Sequence, residues 1–413
     1  MFRFLSILKR RSTSMIFAGK EWENMKMFHL SDLHIGKQLN GYSLRENQEA
    51  VLNQIVAYAS ACHPDAVLIC GDIYDKTAPS GEAYTIFGSF LEALSEITPQ
   101  ISVLIIAGNH DSPERLSYAS PFLEKHRIHL SVFPPQGPEE YLKKVIIEDE
   151  YGPVNFYLLP FLKPGYVRPV FGKDQPDGYE SAVKAILERE AIAPGERNVL
   201  LSHQFYGGGG QDPETCESEQ AVILSGGLDR VDASILAGFD YVALGHIHGS
   251  QRVGADRIRY SGTPYKYSVS EEFHKKSITV VDLGRKKEGI KIEFLPLKGI
   301  QDVRREKGTL ADILSRATEE NRHDFVSVTL TDEEEPYRVR ERLGEVFDHL
   351  LELRVDNKRT RQKLLEGGEP VPVLKPLEAF RQFYKAVRGE EMTKESEKVM
   401  ERIVQEAKEE EGI

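Results

Sequence analysis

Three short polar clusters early in the chain place carboxylates beside imidazole or amide donors: Ser31-Asp32-Leu33-His34-Ile35-Gly36, Gly71-Asp72-Ile73-Tyr74-Asp75 and Gly108-Asn109-His110-Asp111. Two histidine clusters follow, Ser202-His203-Gln204 and Gly245-His246-Ile247-His248. Each begins where a strand-like apolar run stops: Met27 to Leu30, Ala66 to Cys70, Val103 to Ala107, Val199 to Leu201 and Tyr241 to Leu244. If strand geometry persists past Leu30, alternation carries Asp32 and His34 to one side, where a carboxylate oxygen and an imidazole nitrogen converge on one cation. An Asp-rich turn alone is ordinary, as is a single histidine in a hydrogen-bonded loop. Five such clusters at five strand ends are not ordinary when the 413 residues include only 12 histidines. Carboxylate, imidazole and amide donors without a thiolate suit hard or borderline divalent ions such as manganese or iron, and disfavour a structural zinc site.

The clusters need a scaffold that delivers them to one place. Helical stretches separate several strand runs: Leu44 to Cys62 sets Leu44, Val51, Leu52, Ile55, Val56 and Ala59 at helical spacing, and Tyr84 to Ile97 does so with Ile86, Phe87, Phe90, Leu91 and Leu94. These stripes read as core packing. Strands alternating with helices imply a layered α/β fold, a sheet core flanked by helices with its polar clusters along one sheet edge. Further runs at Asn155 to Leu159 and Ser277 to Val281 come with shorter connections. Part of the sheet is therefore expected to be antiparallel, or to form a second sheet packed on the first.

The polar stretch Gly284-Arg285-Lys286-Lys287 reads as the end of a large domain spanning 26–284. A small α/β domain is expected over 285–357, with strands near Ile292 to Phe294, Phe325 to Leu330 and Leu350 to Val355, and helices near Thr309 to Ala317 and Arg338 to Phe347. Residues 358–376, with two adjacent glycines and three prolines in Arg359 to Pro376, read as a linker. Beyond them, 377–413 form a helical tail, Leu377 to Lys385 and Glu391 to Glu410, with sparse apolar positions that gain stability by lying on another helical surface. Residues 1–25 read as a leader or a mis-assigned start, expected to be disordered. Their basic cluster, Lys9 to Arg11, follows the apolar run, the wrong order for a secretory signal.

The formal charge of −12 argues against a generic polyanion binder. It does not exclude one, because metals, local patches or a basic partner can supply the attraction. Cys62, Cys70 and Cys216 have no metal or redox spacing, so a reducing compartment, the cytoplasm, is expected. No run approaches transmembrane length, and no membrane association is expected. Lys163, Arg168, Lys173, Arg252, Arg257, Arg259 and Lys266 flank the later clusters and are candidate phosphate contacts. The run Gly207 to Gly210 permits close backbone approach, with a flexible loop as the plainer reading.

The ordered set DLHIG, GDIYD, GNHD, SHQ and GHIH resembles the calcineurin-like metallophosphoesterase superfamily and, within it, the DNA double-strand-break repair nucleases of the bacterial SbcD type. The likeness runs from Lys26 to the C terminus. It implies two divalent metal ions, manganese the expected pair: Asp32, His34, Asp72 and His248 hold one, and Asp72 bridges to a second completed by Asn109, His203 and His246. It makes His110 the catalytic histidine that contacts the scissile phosphate. Asp75 stands where archaeal and eukaryotic relatives tend to carry histidine, which leaves its role between supporting His110 and holding the turn.

The same resemblance implies a 3′–5′ DNA exonuclease with endonuclease activity, acting in DNA end processing and repair with an SbcC-type coiled-coil ABC ATPase. It further implies a homodimer within a heterotetramer, joined through helices around Tyr84 to Ile97 and Pro113 to Lys125. The small domain becomes a capping domain that orients DNA, and the tail becomes the ATPase-binding element. The metal core alone would also serve nucleotides, cyclic nucleotides or phosphoproteins. A metal-stabilised scaffold is disfavoured, since it has no use for His110 beside the ligands.

Overall fold

Strand Met25–Leu30 reads Met-Lys-Met-Phe-His-Leu, with five of its six residues buried. Alternation explains this: Phe28 and Leu30 pack toward helices, whereas Met25 and Met27 pack toward a second sheet. The computed structural model describes residues 24–172, 175–220, 229–334, 336–361, 376–388 and 392–411. In it, Met25–Leu30 pairs in parallel with Ala66–Cys70, followed by Ser102–Ile106 and Ile128–Ser131. On its other side lie Ser277–Leu283 and Ile290–Pro296, both antiparallel to their neighbours.

A second six-stranded sheet runs in the order Gln251–Val253, Ala255–Tyr260, Tyr241–Gly245, Arg197–His203, Gly152–Leu159 and Lys143–Asp149, parallel inside and antiparallel at both edges. The two sheets face each other across Met27, Leu68, Leu104, Phe156, Leu201 and Tyr241, all inaccessible to solvent or nearly so. Helices Arg45–Cys62 and Gly81–Ser95 cover the outside of the first sheet, and Tyr179–Arg189 that of the second. Each large apolar side chain so buried contributes roughly 1.5–3 kcal/mol. Helix ends carry their own signals. The Ser80 side chain accepts the Ala83 N–H at 3.2 Å to start the second helix, and His63 in the left-handed region closes the first. The expected layered α/β core is present, and its later strands do form a second packed sheet.

Two sequence expectations are corrected. The strand placed near Ile292 to Phe294 in the small domain belongs instead to the first sheet, where Ile290–Pro296 pairs along its whole length with Ser277–Leu283. The Gly284 to Lys287 segment is thus a hairpin turn rather than a boundary, aided by Lys287 and Gly289 at positive φ. Met25, assigned to the leader, is a fully buried strand residue paired with Leu283. Residues 1–23 of the expected leader, and 362–375 of the expected linker, lie outside the described residues.

A parallel three-stranded sheet, Val303–Gly308, Phe325–Leu330 and His349–Val355, carries helices Leu310–Arg316 and Val339–Gly344 over a core that includes Ile313, Val328, Leu343 and Phe347. It packs on the large unit through Val303, Phe325 and Leu351 against Leu39, Leu44 and Tyr265. Helices Pro376–Arg388 and Lys394–Glu411 follow and are tied by an Arg381–Glu397 ion pair. Among the described residues, no helix is long and apolar enough to cross a membrane.

Candidate metal centre

Parallel pairing does not stop where the strands do. The N–H groups of Asp32, His34 and Ile35 donate to the carbonyls of Gly71, Asp72 and Ile73 at 3.0, 3.0 and 2.9 Å, so the first two motif loops leave the sheet side by side. In the second sheet Gly245 stands in register with His203. Asp32 joins the sheets, its carboxylate accepting the His246 backbone N–H at 3.0 Å. Asp32, His34 and His248 offer ligand atoms within 4.8 Å of one another, and so do Asp32, Asp72 and His203. Asn109 Oδ1 lies 2.9 Å from His203 Nε2 and 3.1 Å from His246 Nδ1. All seven expected ligands therefore meet in one cluster at the edge shared by the two sheets. Asn109 and His110 are half-buried; the other six are buried.

The backbone is shaped for this convergence. Asp32, His34, Asp72 and His246 all adopt positive φ, at 52, 42, 50 and 103°. Such conformations cost about 1 kcal/mol or more each and persist only where surrounding structure enforces them. Glycines make the approach possible: a Cβ on Gly71 would fall 2.2 Å from His203 Nδ1, and one on Gly108 would fall 2.1 Å from Asp72 Oδ1.

The donor chemistry fits divalent cations. His203 Nδ1–H donates to the Cys70 carbonyl at 2.7 Å, which leaves the lone pair on Nε2 facing Asn109 Oδ1 and, at 3.4 Å, Asp72 Oδ2. His34 Nε2 faces His248 Nε2 at 3.2 Å, and His34 Nδ1 is buried without a hydrogen-bond partner. Converging lone pairs require a proton or a cation between them. Protons alone serve unevenly, being disfavoured at His34 and His246 and favoured at His203 and His248. Burial holds His34 well below its ordinary range, and burial with His203 lowers His246 to about 3. Burial also lowers His203, but the Asp72 carboxylate outweighs it and raises His203 to about 9. Burial pushes Asp72 up, yet His203, His110 and His34 together hold it well below the usual carboxylate range. Burial and Asp72 push Asp32 up to about 6.

His110 Nδ1–H donates to the Asp75 carbonyl at 3.0 Å, leaving Nε2 as the ring's other reactive nitrogen. The Asp75 carboxylate pairs with Lys37 Nζ at 2.8 Å and its N–H donates to the Ile35 carbonyl at 3.2 Å. Asp75 thus supports His110 and holds the turn at once.

Several supporting residues were given no role by the sequence. Asp111 clamps two motif loops by accepting the N–H groups of Ile73, Tyr74 and Gly108 at 3.1, 3.0 and 2.9 Å. Gln48 on the first helix donates to the His34 carbonyl at 2.7 Å and accepts the Gly36 N–H at 3.0 Å. Glu271, fully buried, accepts from His248 Nδ1 at 3.1 Å and from Lys276 Nζ at 2.6 Å. Glu219 accepts the backbone N–H groups of Cys216 and His248. Only a helix-face glutamine and the aspartate closing the GNHD cluster could have drawn attention beforehand.

The expected phosphate contacts fare less well. Lys266 Nζ is tied to the Glu272 carbonyl and Asp302 at 2.6 and 2.7 Å, and Arg257 donates to the Phe239 carbonyl at 2.7 Å, so both are structural. Arg252 pairs with Asp256 at 3.3 Å, and Arg259 lies over the Phe294 ring. Lys173 lies outside the described residues. The glycine run is a tight turn in which Gly208 and Gln211 exchange backbone hydrogen bonds and Gly209 and Gly210 take positive φ.

The family model for calcineurin-like phosphoesterases matches residues 25–250, and one described as a type 5 capsule protein repressor C-terminal domain matches 300–388. The SbcD subunit of the SbcCD nuclease from Staphylococcus epidermidis is 30% identical over 332 residues, covering 80% of this chain and 85% of that protein. Its counterpart from Staphylococcus saprophyticus subsp. saprophyticus is 27% identical over 386 residues, covering 92% and 98%. Among solved structures, a dimetal phosphatase from Danio rerio matches with a TM-score of 0.36 and 14% identity over 67% of this chain and 99% of that one. The chain belongs to the calcineurin-like phosphoesterase family, in its SbcD branch.

Proposed function

We propose that the chain is the nuclease component of an SbcC–SbcD type complex: a two-metal-dependent DNA exonuclease of 3′–5′ polarity, with endonuclease activity, that processes DNA ends in the cytoplasm. The observation that carries this reading is a buried set of converging carboxylate, imidazole and amide donors with one half-buried, oriented histidine at its margin. In this reading Asp32, His34, Asp72 and His248 hold one divalent ion, and Asp72, Asn109, His203 and His246 hold the other. When bound, the two ions, manganese the expected pair, supply Lewis acidity toward phosphodiester oxygens and polarise a water for attack.

The protein's own groups do the rest. Glu271 and the Cys70 carbonyl fix the His248 and His203 rings by holding their Nδ1–H groups, so each presents Nε2 to the centre. With its Nδ1–H held by the Asp75 carbonyl, His110 presents Nε2 to the scissile phosphate. In its imidazolium form it hydrogen-bonds a phosphate oxygen through Nε2–H and transfers that one proton to the leaving sugar oxygen as the P–O bond breaks. The three-stranded unit serves as the cap that orients DNA, the two C-terminal helices dock on the coiled-coil ABC ATPase, and two copies pair into a homodimer within a heterotetramer. Exposed Tyr118 and Phe122, in the region expected for dimer contacts, support that pairing.

The test is manganese-dependent digestion of end-labelled single- and double-stranded DNA by wild type and His110→Ala, with and without the ATPase. Expected is digestion by wild type from 3′ ends and its suppression in the variant. Hydrolysis of bis(p-nitrophenyl) phosphate with DNA intact in every combination would refute the nuclease reading in favour of a nucleotide or phosphoprotein esterase. Deleting 377–413 without loss of ATPase binding would refute the docking.

A further inference from the structure

His248 stands between two spaces. Its Nε2 faces the metal centre, and its other side walls a cavity of about 460 Å³ also lined by Thr215, Ser250, Thr263, Lys275 and Phe273. The volume is that of a small-ligand site. Its free charge is slightly negative. Glu214 and Glu217 oppose Lys275 at the rim, and Lys276 is consumed by Glu271, Thr263 and the His248 carbonyl at 2.6, 2.5 and 3.1 Å. Such a lining does not attract phosphate. It suits a flat, uncharged ligand that makes hydrogen bonds.

Phe273 supplies the matching apolar face. It is 85% exposed at the cavity edge. A single exposed phenylalanine is ordinary on most surfaces, but this one stands on an anchored backbone. Glu271, two residues before it, is fully buried under His248; Lys276, three residues after it, is buried in the same network. Glu272 accepts the Arg305 backbone N–H at 3.0 Å and its guanidinium at 2.9 Å, and the His274 N–H donates to the Glu271 carbonyl at 2.8 Å. A backbone anchored on both flanks holds the ring's attachment point at the cavity edge, which favours a stacking surface there.

We infer that this cavity receives the nucleobase of a nucleotide flanking the scissile phosphate, with Phe273 as its stacking platform. The inference rests on the nuclease reading and adds where the substrate strand lies: the phosphate at the metal centre, its neighbouring base on the far side of His248. Stacking accepts any base, so this site positions the strand without selecting sequence.

The test uses the full-length protein and Phe273→Ala and Phe273→Trp. In EDTA, fluorescence anisotropy should show single-stranded oligothymidylate binding to Phe273→Ala about tenfold more weakly than to wild type, the loss expected for one base–aromatic stack, with Phe273→Trp binding at least as well. With manganese, Phe273→Ala should raise KM for thymidine 5′-(p-nitrophenyl phosphate) by a similar factor with kcat within about twofold of wild type. Equal affinity and KM in wild type and Phe273→Ala, with DNA still digested, would overturn the base site and leave the nuclease standing. A loss in kcat with KM unchanged would also overturn it, by showing that Phe273 acts on the centre itself. Failure of wild type on DNA and the thymidine ester, with bis(p-nitrophenyl) phosphate cleaved, would overturn the nuclease reading and the base site with it.

Discussion

Asp72 turns one oxygen to the His110 backbone N–H at 2.9 Å and the other toward His203 Nε2 at 3.4 Å and His34 Nε2 at 3.8 Å, so a single carboxylate faces both halves of the centre. Asp72→Asn keeps the shape and removes the charge. It should weaken manganese binding at both sites by at least about 100-fold, whereas His110→Ala should bind manganese as wild type does and lose about 100- to 10,000-fold in kcat. Calorimetric titration with turnover assays separates the two; a single lost site in Asp72→Asn would contradict a bridging role. Glu271→Ala should weaken manganese about 10- to 100-fold by releasing the His248 ring, with Glu271→Gln between it and wild type because the amide oxygen still accepts from Nδ1. Titration followed by electron paramagnetic resonance reads this directly, and an unchanged affinity in Glu271→Ala would show that His248 needs no such support. The converging donors were legible in the sequence because each stands where an apolar run ends. Glu271 was not, since Ser270-Glu271-Glu272 has the composition of a solvated turn, and only the fold brings Glu271 to a histidine 23 residues away and buries it.

The elements place their glycines where the layers come closest. A Cβ on Gly245 would stand 1.8 Å from the Cys70 carbonyl oxygen, a backbone atom of the facing sheet that cannot swing aside. Gly245→Ala should therefore destabilise by about 1–3 kcal/mol or more, as overpacking does, and displace His246 and His248 with it. Gly209→Ala is the contrast: φ is +62° with nothing within 4 Å, so only the left-handed backbone opposes the change, about 1 kcal/mol. Urea denaturation of both variants checks the ranking, and equal losses would mean that the close sheet approach contributes nothing beyond backbone conformation. At this scale the buried parallel strands announced themselves as unbroken apolar runs. The hairpin after Leu283 did not. Its turn has a linker's composition, and Ile290–Pro296 is an edge strand with no fully buried residue, so nothing in its pattern tied it to the large sheet.

For the molecule as a whole, the centre is a clasp between two sheets: Asp32, His34, Asp72 and Asn109 come from loops of the first, and His203, His246 and His248 from the second. Manganese at 100 times its dissociation constant should add about 2.7 kcal/mol per site to the folded state, a gain that Asp72→Asn should lose. Without metal, the same interface should be acid-sensitive through His29. This histidine lies between the sheets, donating from Nε2 to the Leu244 carbonyl at 3.1 Å and accepting the Tyr241 hydroxyl on Nδ1 at 2.8 Å, an arrangement open only to the neutral ring. Burial lowers its pKa from 6.5 to about 3. Between those values the unfolded chain binds a proton that the folded one refuses, so the contribution of His29 to stability is complete above pH 6.5 and shrinks as pH falls, by about 1.4 kcal/mol per unit. Asp32 and Asp111, raised to about 6 with burial the leading cause, act in the opposite sense over much of that range and mask the slope in wild type alone. The difference from His29→Gln, whose amide offers one donor and one acceptor without titrating, isolates it. In EDTA, the wild-type stability measured relative to the variant should be flat from pH 8 to 7 and fall by about 1.4 kcal/mol per unit from pH 6 to 4, whereas parallel curves throughout would mean that the His29 ring is protonated in the folded protein.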